Sequence, residues 1–165
     1  MEREISSLLL KSNRTLGSRL VDDGLCRLRD IEDANEAFVS KVRAEDLTQA
    51  SLLRILIFDK QAIDEASYLD NLIEKHLIGG LSLNSFNVDT RLSEIVHLDV
   101  LRATWTLPID KVDEHYFLAT CYYLSDVVRQ YWMEKLNHSI TWYACSMQDM
   151  ESMLDRIAIE GRGDQ

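Results

Sequence analysis

His76, His97 and His115 each stand within two residues of a carboxylate, at Glu74, Asp99 and Glu114. An imidazole beside an acid can relay a proton or bind a metal, but a metal site needs three or four converging ligands. No H-E-x-x-H sets two of these rings on one helical face. They read as ordinary surface or core histidines. Cys26, Cys121 and Cys145 form no C-x-x-C pair, so neither a zinc knuckle nor a thioredoxin-type site is supported. No G-x-S-x-G elbow is present, and the adjacent acids Asp113-Glu114 suit a hairpin turn better than a catalytic dyad. The six glycines, at 17, 24, 79, 80, 161 and 163, fit neither G-x-x-x-x-G-K-[ST] nor G-x-G-x-x-G. Without a backbone cradle and its lysine, nucleotide hydrolysis has no visible apparatus, and the chain reads as a non-enzyme.

Charge narrows the classes further. Twenty-eight acids against 18 bases leave a net charge of −10 over 165 residues. Such a chain repels phosphates on average, which argues against nucleic acid or an anionic lipid surface as partner. The aromatic pairs at 116–117 and 142–143 could stack on bases, but residues beyond 104 carry five bases and ten acids. A stacking platform needs a basic surround, so these rings read as core. Residues 1–29 are different, with six bases against four acids. A small anion could be met there. The odd, widely spaced cysteines suit a reducing cytosol. "MEREISSLLLKSNR" is too short and polar for a signal sequence, and no apolar run approaches the ~18 residues of a membrane span.

These candidates need elements to position them. "EISSLLLKS" reads as a short apolar-faced helix and "TLGSRLVDDG" as the next, ended by Gly24 in a left-handed cap. Asp30 is placed to N-cap "IEDANEAFVSKV". "LTQASLLRILIFDK" reads as a central apolar helix. Asp64 caps a helix whose apolar side is Tyr68, Leu69, Leu72, Ile73 and Leu77, and Gly79-Gly80 breaks it. "LSLNSFNVD" is an irregular link with room for a short strand, and Asp89 begins two short helical turns. "TWTLPID", with Pro108 at an edge, and "HYFLATC" read as a hairpin. Ser125 begins a helix, "SITWYAC" is a third strand, and Ser146 with Asp149 forms an S-x-x-D capping box for the last helix. That helix has an apolar face of Met147, Met150, Leu154 and Ile157, and "GRGDQ" frays. The fold class is α+β: a helical lobe at 1–88, then a small three-stranded sheet backed by helices at 89–165, in one unit.

Three stretches together resemble one family. "TLGSRLVDDGLCRLRDIEDA", residues 15–34, is similar to the R-L-G-x-x-L-x-x-x-G-(x6)-L repeat of the N-terminal domain of type II secretion and type IV pilus assembly ATPases. "YLDNLIEKHLIGGLSL", residues 68–83, resembles that domain's second helix and link. Residues 101–157 resemble its closing module, in which a strand containing "LP" leads to a hairpin, a helix, a strand and a final helix. The resemblance implies a cytoplasmic domain, peripheral at the inner membrane through its partner. That partner would be the cytoplasmic domain of an inner-membrane platform protein or the associated ATPase, with no nucleic acid and no insertion into the membrane. It also implies cyclic di-GMP as a ligand for a subset of the family. Leu16, Gly17, Leu20, Gly24 and Ile31 match the repeat and would be the cyclic dinucleotide residues. Thr15 stands at the repeat's arginine, with Arg14 one position earlier. Asn35 and Phe38 replace a leucine and a glutamine.

Overall fold

Helix α1 spans Arg3–Asp22 without a break, not as two pieces. Ile5, Leu8, Leu9, Ser12, Asn13, Leu16, Gly17 and Leu20 form one buried stripe at i, i+3 and i+4 spacing. The polar members of the stripe turn inward because they are satisfied. Ser12 Oγ donates to Leu9 O and Ala103 O, and Asn13 Nδ2 donates to Leu9 O. A computed structural model describes residues 1–163 of the chain.

Gly24 closes α1 as expected, at φ +74°. Leu25 N donates to Leu20 O at 2.9 Å and Gly24 N to Val21 O at 3.0 Å, the paired bonds of a Schellman ending. Helix α2 then runs Leu28–Arg43. Asp30 lies in its first turn instead of capping it. Its carboxylate reaches back to accept from Arg27 N at 3.0 Å. Helix α3 begins at Leu52–Arg54 and widens into a π-helical turn over Ile55–Asp59. It is the central apolar segment, with Leu52, Leu53, Ile55 and Leu56 all buried. Helix α4 spans Glu65–His76, and Asp64 caps it by accepting from Ser67 N at 2.9 Å. Leu77 leaves the apolar face. It ends α4 in the left-handed region at φ +54°, which turns its side chain to solvent with 90% exposure.

The sheet has four strands, not three, in the order β1-β4-β3-β2. The extra strand is Gly79–Gly80 (β1), which pairs parallel with Tyr143–Ala144 of β4 (Ser139–Ala144). The glycines do not simply end the helix. A Cβ on Gly80 would lie 2.8 Å from Ile73 Cδ1, and one on Gly79 would lie 3.3 Å from the Tyr143 ring. Any side chain here would have to displace the end of Ile73 or crowd the Tyr143 ring. Strands β2 (Thr106–Val112) and β3 (His115–Thr120) form the expected hairpin around Asp113-Glu114. β2 is the edge strand, and its register shifts between Pro108 and Asp110, where proline would otherwise leave a gap in the ladder.

The two expected helical turns are a 3-10 segment at Thr90–Ile95, capped by Asp89, and helix α5 at Leu98–Thr104. Trp105 is not in a strand. It caps α5 in the left-handed region at φ +50°, wholly buried. Ser125 caps α6 (Asp126–Leu136). Helix α7 runs Met147–Gly163, so the expected fraying at "GRGDQ" does not begin at Gly161, and Asp164 and Gln165 lie outside the described residues. Ser146 caps α7 by accepting from Asp149 N at 3.0 Å. The Asp149 carboxylate completes no box. It accepts from Asn84 Nδ2 at 2.7 Å and pins the 83–85 link instead. Two pairs fasten α7 to the helical layer, Arg54 to Glu151 and Arg102 to Asp155, both at 2.8 Å.

Candidate functional site

The residues expected to bind a dinucleotide cluster where α1, α2 and α3 meet, but mostly as packing. Leu16 and Leu20 are fully buried. Gly17 lets two helices close on α1. A Cβ there would lie 3.3 Å from Leu52 Cδ2 and 3.5 Å from Ile31 Cγ2. Leu16 and Leu20 thus have no surface to offer in this packing. Ile31 is half-buried, and Gly24 is exposed in the turn between α1 and α2.

What faces solvent here is a groove of about 420 Å³ between α1 and α2. Leu10, Ile31, Phe38 and Val39 form its apolar wall, and Lys11, Arg14 and Asn35 bring polar ends to it. Arg14, one residue before the repeat's arginine position, is therefore the guanidinium at the groove. Neither Lys11 nor Arg14 has an ion pair among the described residues. Asn13 also borders the groove, but its amide is spent inside. Its Oδ1 accepts from Leu52 N at 2.9 Å and from Tyr122 OH at 2.8 Å. Two free cations beside an apolar wall could hold a phosphate-bearing ring system. The signal for Lys11, Asn35 and Phe38 lay in helical offsets, three residues before Arg14 and four and seven after Ile31, which the repeat pattern obscured.

The other chemistry-bearing groups are absorbed elsewhere. His115 bridges Ser139 and Thr141 across the β3–β4 register, with both contacts at 2.7 Å. His97 caps α5, and His76 lies 3.4 Å from Asp23. Among the described residues no group of three or more His, Cys, Asp or Glu is placed to hold a metal. Of the rings proposed as core, Tyr116 is buried, while Phe117, Trp142 and Tyr143 are half-buried on the sheet. No helix among the described residues is long and apolar enough to cross a membrane.

The thiols are held as thiols. Burial pushes Cys121 and Cys145 well above the ordinary value of 9.0, and burial with nearby Asp30 pushes Cys26 up to about 11. Burial also raises the Tyr68 and Tyr122 phenols above 10.0. A group whose folded pKa is raised keeps its proton while the unfolded chain loses one, so stability falls as pH rises past the unfolded value. The melting temperature is expected to hold through neutral pH, fall above about pH 9 as unfolded thiols ionise, and fall faster above about pH 10. Thermal melts across that range check this. An unchanged midpoint at about pH 10.5 would show that these groups are not buried as described.

No protein-family model matches the chain, and no curated protein matches it. Among solved structures, one of MshE with cdg (cyclic di-GMP) aligns at a TM-score of 0.53 and 17% sequence identity, over 86% of this chain and 97% of that one. The chain therefore shares the fold of that MshE chain, as the resemblance in residues 15–34, 68–83 and 101–157 implies.

Proposed function

We propose that the chain is a docking and regulatory domain of a bacterial secretion or type IV pilus assembly system, with no catalytic chemistry of its own. The fold shared with MshE over nearly that whole chain carries the reading. Its histidines engage neighbouring groups, and its cysteines are protonated, which supports a binding role over a catalytic one. The partner is the cytoplasmic domain of an inner-membrane platform protein or the associated ATPase, which places the domain at the cytoplasmic face of the membrane. With a net charge of −10 on this chain, the contact should weaken as salt rises. Immobilised protein should retain the purified platform domain or ATPase at low salt and release it at high salt. Retention of neither at low salt would reject the reading.

A second reading is cyclic di-GMP binding, favoured by the Lys11–Arg14 groove. Calorimetry should then show micromolar binding that Arg14→Ala removes. Arg14 is the suitable variant because a side chain at Gly17 would push on Leu52 and Ile31. No heat with wild-type protein would retire this reading, and binding that survives Arg14→Ala would move it to another site.

A further inference from the structure

A second groove, of about 680 Å³, lies at the other end of α1 from the repeat residues, where the start of α1, the 90–95 turn, α5, α6 and the end of α7 converge. Its floor is apolar. Ile5, Val96 and Val100 are buried there, and Leu98, Tyr131 and Ile157 are half-buried. Its rim is acidic. Glu2, Glu4, Glu94 and Asp99 line it, against Lys135 and His97. His97 is engaged by Asp99 at 3.3 Å, and the α-amino group of Met1 is engaged by Glu45 at 2.7 Å. Among residues 1–161, Glu2, Glu4 and Glu94 have no ion pair within 4 Å. An adjoining trough between α1 and α6 shares Glu4 and Tyr131 with this groove and adds Glu134 and Arg3, so the apolar floor continues along the seam with no further net charge.

Carboxylates massed around an apolar trough repel one another in the free protein. A ligand that covers the floor and supplies cations relieves that repulsion while burying apolar area. An anion would be repelled, and a lone metal ion would leave the floor exposed. An amphipathic helix satisfies both needs, with apolar anchors at i, i+3, i+4 and i+7 flanked by Lys or Arg.

We propose that this acid-rimmed groove docks a basic amphipathic helix of the partner protein. The inference rests on the docking reading above and names the surface and the chemistry that would serve it. The test uses the full chain and a labelled helical peptide of about 18 residues, roughly five turns, with Leu at the anchor positions and Lys beside them. Two control peptides are used, one with the anchors scrambled and one with Glu replacing Lys. Fluorescence anisotropy should show binding of the first peptide alone, weakening as salt rises. Glu4→Lys with Glu94→Lys, both exposed, should reduce affinity roughly tenfold at low salt and flatten the salt dependence, with the melting temperature kept as a check on folding. Leu98→Ser should reduce affinity while leaving the salt dependence intact. Equal binding of the scrambled peptide, or unchanged affinity in the charge-reversed variant, would overturn the proposal. The same variant separates the two readings. If the platform domain or ATPase is retained equally by wild-type and charge-reversed protein, docking stands and this groove is not its site. If wild-type protein retains neither partner yet binds the peptide in the expected pattern, the groove stands and the docking assignment fails.

Discussion

Truncating Trp132 to alanine is expected to cost about 3–5 kcal/mol of folding stability, the range for deleting a fully buried aromatic ring. The ring is wholly buried where α6 packs on the sheet. Its Nε1–H also starts a directed chain of hydrogen bonds. It donates to Thr106 Oγ1 at 2.8 Å, Thr106 and Thr104 hydroxyls meet at 2.6 Å, and Thr104 donates to Val100 O at 2.8 Å. That chain stitches α6 to the first residue of β2 and on to α5. Trp132→Phe should lose only about 1 kcal/mol from the donor, plus a smaller cavity cost, because the two threonines still pair with each other. Urea denaturation with an unchanged m-value checks both variants. A loss below about 1 kcal/mol for Trp132→Ala would mean that α6 does not close the core as described.

Asn13→Ala is expected to cost about 2–4 kcal/mol, from the two hydrogen bonds its Oδ1 accepts together with a small cavity. Asn13 is 2% exposed in the middle of α1, an unusual place for a polar side chain. Its Oδ1 accepts from Leu52 N, the first residue of α3, and from Tyr122 OH, just past β3. Tyr122 OH also meets Ser51 Oγ and lies beside the Leu52 amide, so removing Asn13 leaves the phenol one partner and Leu52 N–H only the phenol oxygen in place of the carboxamide. Asn13→Leu roughly conserves volume and should remain destabilising, which separates the lost hydrogen bonds from the cavity. Amide exchange at Leu52 should rise in both variants. Wild-type stability in Asn13→Leu would show that the hub adds nothing over apolar packing.

The candidate site was legible as a region and not as a surface. Leu16, Gly17, Leu20 and Ile31 lie at a corner where helices meet. A glycine and leucines at helical spacing serve close packing as readily as ligand contact, and spacing alone does not distinguish the two. Arg14 and Lys11, on α1, acquire their relation to Ile31 and Phe38 only when α2 lies beside α1. The acid-rimmed groove was not legible, since its lining comes from five separate segments.

The amino-acid sequence by itself determined what depends on neighbours within a turn or two. Asp64, Ser125 and Ser146 as caps, Gly24 as a left-handed stop and the hairpin at Asp113-Glu114 are all bonds or torsions closed within a few residues. Tertiary structure decided what depends on distant surfaces. Gly79–Gly80 is a strand because β4, more than fifty residues later, accepts it close against Ile73 and the Tyr143 ring. Asn13 faces inward because Leu52 and Tyr122 arrive to meet it. A polar group is buried only when its partners are already in place, and that condition is set by the assembled fold.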